Sequence, residues 1–289
     1  RAKPKKRGKP NMRVSKRTTI LILTLTALFF AFTLLHASWL ADAPKGGLKL
    51  VADKGVAPVL GADGCVSAAN AGYGAVAVGP DLAALQLAAG AEADAVHVPV
   101  EMADGKLVPV RQFASTCATD LAQPRPDVAA TAYSLSRPEL FWQATGADAA
   151  KALLAKLPTG DRRHILIGDD AAVAAAKAER PVMRAFTVAS AQQCAADYRG
   201  SLLGSVPESC ANGVMLLTLD ELGYTLWGWP NRFLDRMAKA KTTVIIAQDV
   251  NDGTIKGLTD VRQYGEIASG FDGYVWIDRI DQLGPALRR

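Results

Sequence analysis

The chain has 289 residues, 49% of them hydrophobic but only 7% aromatic, so it can bury a substantial core, built mainly from small aliphatic side chains. Its formal net charge of +5 is unevenly spread: nine of the 33 Lys and Arg fall in residues 1–17, which hold no acid, leaving 24 basic against 28 acidic residues beyond them. The body is therefore mildly acidic, which argues against nucleic acid as a partner and makes the basic excess a property of the tail alone.

Residues 18–40 contain no Asp, Glu, Lys or Arg and, as a helix, cross about 30 Å of hydrocarbon. A transmembrane helix is expected here, with the basic tail 1–17 in the cytoplasm, Trp39 at the exit interface and everything after it on the outer side of the inner membrane. Cleavage as a signal peptide is the competing expectation, because Ala41-Asp42-Ala43 offers small residues and Met12 an alternative start; Pro44 opposes cleavage. Within the span, Thr19, Thr26 and Thr33 recur at heptad spacing and Ala27 and Ala31 form a small-xxx-small pair, a pattern expected to pack against an integral membrane partner or, more simply, to face lipid.

A linker over 41–47 leads into a domain over 48–289. Short apolar runs at 48–52, 95–100, 164–167, 182–186, 214–217, 243–247 and 273–277 predict strands, with a further short one at 224–227. Helical patterns intervene at 82–89, 147–157, 171–178, 191–198, 230–239, 260–268 and 282–287, whereas 118–138, rich in Pro, Asp and Arg, reads as a loop covering the mouth. Alternating strands and helices predict an α/β fold, a (β/α)8 TIM-type barrel preceded by one transmembrane helix.

Four cysteines in an exported domain are free to oxidise. Cys194 with Cys210, and Cys65 with Cys117, are the expected pairs, against four reduced thiols, and no Cys/His spacing suggests zinc. Phosphate loops and dinucleotide fingerprints are absent, and three histidines (His36, His97, His164) give little support to a Ser-His-Asp site.

The stretch Ala93 to Gln112, ADAVHVPVEMADGKLVPVRQ, with its Asp-Ala-aliphatic strand and Asp104-Gly105 turn, resembles the second strand and hairpin of glycerophosphodiester phosphodiesterases. Val51-Ala52-Asp53-Lys54-Gly55 stands where that family has a strand ending in Ala-His-Arg-Gly, and GFDGYVWIDRIDQL, beginning at Gly270, is similar to its closing pattern. The resemblance implies a barrel whose mouth holds Ca²⁺ or Mg²⁺ on three carboxylates and uses two histidines as proton acceptor and donor. In this sequence the first His is replaced by Asp53 and its Arg partner by Lys54. The strand carboxylates become His97 and Pro99, the second His-Asp pair Arg111 and Gln112, and a pocket Trp Gln248. Pro ligates nothing through its side chain and Arg is no base at neutral pH. The resemblance therefore implies a barrel without phosphodiesterase activity, cofactor or metal.

Several alternatives stay open. Asp53 and His97, completed by Glu101 or Asp169, would be the nearest approach to a replacement metal site, and Asp53 paired with Lys54 or Arg111 would instead fill the pocket with an ion pair. Lys54 and Arg111 could hold an anion without cleaving it. Trp227 and Trp229, in the aromatic run Tyr224-Thr225-Leu226-Trp227-Gly228-Trp229-Pro230-Asn231-Arg232, are expected either to bind ligand or partner or to pack the following helix. The function this favours is an accessory or scaffold subunit of an envelope membrane complex; the alternatives are a divergent phosphodiesterase and a non-catalytic binder of phosphate or polyol headgroups.

Overall fold

The computed structural model describes residues 15–53, 85, 88–110, 125, 127–135, 137–201, 204–223 and 225–288. Lys54, Cys65, Arg111, Gln112, Cys117 and Tyr224 lie outside the described residues, so the expectations placed on them, including the Cys65–Cys117 pairing, lie outside them too.

Eight parallel strands form the barrel. In chain order they are β1 (Lys49–Ala52), β2 (Ala95–Ala103), β4 (Glu139–Ala144), β5 (His164–Gly168), β6 (Arg184–Phe186), β7 (Val214–Thr218), β8 (Thr243–Ala247) and β11 (Tyr274–Ile277). Around the sheet the order is β6-β5-β4-β2-β1-β11-β8-β7, so the chain's first and last strands are neighbours, Val51 standing opposite Trp276. Among the described residues no ladder joins β6 to β7, and the barrel is nearly closed there.

Two hairpins are added at the ends of strands. β2 runs on into an antiparallel pair with β3 (Lys106–Pro109), and β9 (Asp249–Asn251) pairs with β10 (Thr254–Lys256). Both turns are Asp-Gly, and both residues of each take positive φ (49° and 72°), a backbone that fits the right-handed twist of the flanking strands and that Gly105 and Gly253 adopt without a Cβ clash.

The period of two in each strand sorts its side chains. Leu50, Ala52, Val96, Val98, Leu140, Trp142, Leu166, Met215, Leu217, Ile246 and Val275 face outward into one core shared with the helices. Val51, Ala95, Phe141, Ile165, Leu216, Ile245, Tyr274 and Trp276 fill the barrel itself. His164 belongs to the outer packing: Trp142 Nε1–H donates to its Nδ1 (3.1 Å), and burial lowers its pKa against the opposing pull of Asp161. It is a structural histidine.

Seven of the eight barrel strands coincide with predicted runs, and the eighth does not. Residues 225–227 form a turn rather than a strand, and the strand is Glu139–Ala144 instead. The polar ends Glu139 and Gln143 disguise it as loop, although its Leu140, Phe141 and Trp142 are fully buried. The segment read as a loop over 118–138 also contains a helix, Val128–Ser134, capped by Asp127, whose side chain accepts from Ala130 N–H (2.8 Å).

The floor of the barrel is polar. Glu139 accepts from Lys49 Nζ (2.7 Å), Tyr274 Oη (2.6 Å) and Arg184 Nη2 (3.0 Å). Burial works to raise the Glu139 pKa, but these hydrogen bonds and the two cations outweigh it and hold the carboxyl below its usual range.

The Cys194–Cys210 disulfide is present, closing a separation of 16 residues between the helix Val188–Gly200 and the turn before β7. Replacing both cysteines by Ala is expected to cost about 3 kcal/mol in urea unfolding, the chain entropy released when a loop of this length is no longer closed. A loss within error would mean that the fully buried flanking residues hold this loop unaided.

The N-terminal apolar segment is a helix, α1 (Lys16–His36), whose stretch Lys16–Leu34, with mean hydropathy 1.8, has the length and composition of a membrane span and equally of a signal sequence. It ends earlier than residue 40, because residues Ser38–Leu40 turn into a short 3-10 segment that packs on the helix Asn231–Lys239. Thr19 Oγ1 donates to Ser15 O (3.3 Å) and Thr33 Oγ1 to Phe30 O (2.9 Å), so these hydroxyls are satisfied within their own helix.

Candidate functional site

The C-terminal ends of the strands enclose a cleft of about 400 Å³ lined by Asp53, His97, Pro99, Gln143, Trp276 and the hairpin residue Thr254, among others. Strand alternation aims His97 and Pro99 of β2 inward, and parallel pairing sets Gln143 of β4 beside Pro99. Asp53 follows the last residue of β1.

His97 is the centre of this cleft and is only 5% exposed. Its Nδ1 lies 2.7 Å from Asp53 Oδ1 and its Nε2 3.0 Å from the Gln143 amide. The Asp53 carboxylate only accepts, so His97 Nδ1–H donates to it. Trp276 packs on the imidazole with ring centroids 5.0 Å apart, and the Phe141 ring backs the indole at 5.7 Å.

The chemistry of this arrangement is restrictive. The Gln143 atom nearest Nε2 is Oε1, so with Nδ1–H given to Asp53 the Nε2 lone pair faces the Gln143 amide and takes a hydrogen bond when that amide turns its N–H toward it, which sets His97 between the ends of β1 and β4. A hard divalent ion needs several carboxylate oxygens, and among the described residues the cleft brings together one carboxylate with an imidazole, a prolyl ring, an amide and an indole. Among the described residues no three His, Cys, Asp or Glu side chains gather as a metal site. The donor set does not fit Ca²⁺ or Mg²⁺.

The remaining candidates fall elsewhere. Glu101 is an ion pair with Arg125 on an exposed edge. Asp169 caps the helix Asp170–Glu179 through Ala172 N–H (2.8 Å) and also accepts from Gly146 N–H (3.0 Å), so neither joins Asp53 and His97. Trp229 packs between Phe233 (5.4 Å) and Phe271 (6.0 Å), and Trp227 meets Phe32 of α1 edge to face at 5.6 Å; neither lines the cleft.

Gln143, Trp276 and the β9–β10 hairpin are cleft residues that the sequence reading passed over. Gln143 sat on the unrecognised strand. Trp276 carried a usable signal, because alternation along β11 sets it on the same face as Tyr274, inside the barrel. Its buried indole N–H has no acceptor among the described residues.

No family model matches the chain, and no curated protein matches it either. Solved structures do. A glycerophosphodiester phosphodiesterase from Agrobacterium tumefaciens is similar over 84% of this chain and 100% of its own, with a TM-score of 0.51 and 15% identity. The glycerophosphoryl diester phosphodiesterase domain of an uncharacterised Mycobacterium tuberculosis protein is similar over 86% and 100%, with a TM-score of 0.52 and 15% identity. Strand order, the hairpin on β2 and coverage of most of the chain together give this protein the TIM-barrel fold of the glycerophosphodiester phosphodiesterases.

Proposed function

We propose that this protein is a divergent, catalytically degenerate relative of the glycerophosphodiester phosphodiesterases, anchored in the inner membrane by α1 with the basic tail inside, and that it serves as an accessory or scaffold subunit of an envelope membrane complex. The observation that supports the loss of catalysis is that, among the described residues, the cleft carries a single carboxylate, Asp53, already taken by His97 Nδ1–H, with Gln143 beside His97 Nε2. The apolar length of α1 and the nine cations in residues 1–17 support the anchor and its direction. Thr19, Thr26, Ala27, Ala31 and Thr33 are the proposed packing face for an integral membrane partner.

The test is hydrolysis by the purified protein of glycerophosphocholine and glycerophosphoethanolamine with Ca²⁺ or Mg²⁺. Release of glycerol phosphate at the protein-free rate is expected. Turnover that disappears in Asp53→Ala or His97→Ala would make it an enzyme after all. For the accessory role, isolation in mild detergent should bring down a stoichiometric membrane companion, and a solitary monomer would count against it.

The open cleft favours a second reading, a binder of phosphate or polyol headgroups, for which Lys54 and Arg111, both outside the described residues, are the cations the sequence offers. Glycerol phosphate should then raise the melting temperature without turnover, and Arg111→Ala should remove the shift.

A further inference from the structure

The strand N-terminal end of the barrel carries a hollow of about 490 Å³, separate from the His97 cleft. Its lining is charged in both senses: Lys45, Lys49 and Arg184 against Asp42, Asp235 and Asp272. These charges are not all matched one to one. Lys49 and Arg184, at the ends of β1 and β6, share the single carboxylate of Glu139 (2.7 and 3.0 Å), which leaves one positive charge in excess at the strand ends. Their other partners are neutral: the Tyr274 hydroxyl at 3.2 Å from Lys49, and the Thr243 hydroxyl at 3.3 Å and the Arg162 carbonyl at 3.4 Å from Arg184. An ammonium and a guanidinium carry more N–H donors than these contacts use.

The imbalance is reversed where the linker passes. Asp272, just before β11, lies directly over Gly46, at which a Cβ would collide with its carboxylate. Asp42 and Lys45 flank that contact along the linker, so two carboxylates there face one ammonium. Asp235 is already matched by Lys239 (2.7 Å). The hollow is therefore polarised, with surplus cationic donors at the strand ends and a surplus carboxylate at the linker.

We infer that this hollow is a binding site for a small zwitterion joining a phosphate to a primary ammonium, the phosphate on Lys49 and Arg184 and the ammonium on Asp42 and Asp272. A guanidinium, an ammonium and the Thr243 hydroxyl converging on one place suit an anion with several oxygens, and carboxylates suit an ammonium that has N–H groups to give. Two sources share this chemistry, a lipid headgroup and a soluble phosphoamine. Asn231 N–H donates to Ser38 Oγ (3.0 Å) and its side-chain amide to the Ala41 carbonyl (3.5 Å), so the chain leaving α1 is held beside the helix Asn231–Lys239, which itself lines the hollow. Asp42 can then lie no farther than about 20 Å from the end of α1 at His36. The lipid source rests on α1 spanning a membrane, as proposed above; the site itself does not.

Titration calorimetry of the full chain in detergent, in phosphate-free buffer, tests this with phosphoethanolamine as the probe. Saturable binding is expected, at least ten-fold tighter than that of inorganic phosphate or of ethanolamine alone, and several-fold tighter than that of phosphocholine, whose quaternary nitrogen has no N–H. Absence of saturable binding, or phosphate alone binding as tightly, would overturn the inference. Arg184→Gln should weaken binding at least ten-fold, and Asp42→Asn, on an exposed linker residue whose loss leaves the barrel packing untouched, several-fold. Binding lost in Arg111→Ala but kept in both of these variants would put the probe in the cleft and overturn the inference while leaving the headgroup reading of the cleft standing. Displacement of the probe by phosphatidylethanolamine, and not by phosphatidylglycerol, identifies the lipid source, and binding without such displacement the soluble one; either result upholds the site. Vesicle flotation tests the membrane reading separately, because a chain that binds the probe but does not float removes that reading alone.

Discussion

Trp276→Ala is expected to lower the unfolding free energy by about 4 kcal/mol, the largest loss from any single substitution considered for this barrel. The side chain is 1% exposed and packs against both His97 and Phe141 inside the barrel. Its removal opens a void between rings that eight hydrogen-bonded strands cannot readily close around, so the transfer and cavity costs add. Urea unfolding checks the value, and a fall in melting temperature of roughly 10 °C should accompany it. A loss under about 1 kcal/mol would mean that the interior collapses around the gap, contrary to the rigid packing assigned to it. The indole also forms one side of the cleft, so any ligand that raises the melting temperature of the native protein should lose that effect in the variant.

At the opposite end of the barrel, Glu139→Ala is expected to cost about 2–3 kcal/mol. Glu139 is the common acceptor for Lys49, Tyr274 and Arg184, and removing it leaves two cations facing each other across the floor. Its side chain keeps 20% of its exposure and that of Lys49 42%, so solvent screens part of the penalty and the value falls below that of a fully buried pair. The dependence on pH follows from the direction of the shift. A carboxyl held below its usual range contributes fully above the unfolded Glu value and loses that contribution as pH falls through the folded one. The gap between native and variant stability should therefore be widest near neutral pH and shrink below about pH 4. A gap that grows on acidification would contradict the assigned network.

Much of the fold was legible before any coordinates. The runs at Lys49–Ala52, Thr243–Ala247 and Val214–Thr218 are continuous aliphatic segments of strand length, which is how a strand buried on both faces reads. Glu139–Ala144 escaped because its inward face carries a carboxylate for the floor and an amide for the cleft, leaving three apolar residues between them. Residues 225–227 attracted a strand assignment because they are aromatic and aliphatic. Their hydrophobicity serves another purpose: Leu226 is buried against the outer core, and Trp227 faces α1.

The candidate site divides in the same way. That Asp53, His97 and Pro99 stand where the resemblance implies catalytic and metal-binding side chains is legible in the sequence. What the replacements do to one another is not, since Asp53 and His97 are 44 positions apart and His97 and Gln143 46. Glu101 and Asp169 have the right chemistry for a metal, but one is turned outward on an extended hairpin and the other is consumed as a helix cap.

By itself the sequence determined the alternation of strands and helices, the Asp104-Gly105 hairpin turn and the apolar helix behind a basic tail, because each is set by local periodicity, backbone preference or residue chemistry. Only the tertiary structure decided that His97 is clasped between Asp53 and Gln143, that Glu139 gathers three donors at the floor, and that the tryptophan segment seats the end of α1 instead of lining the mouth. Periodicity tells which face a side chain occupies; what stands across from it depends on strand register and on which distant elements come to share an end of the barrel.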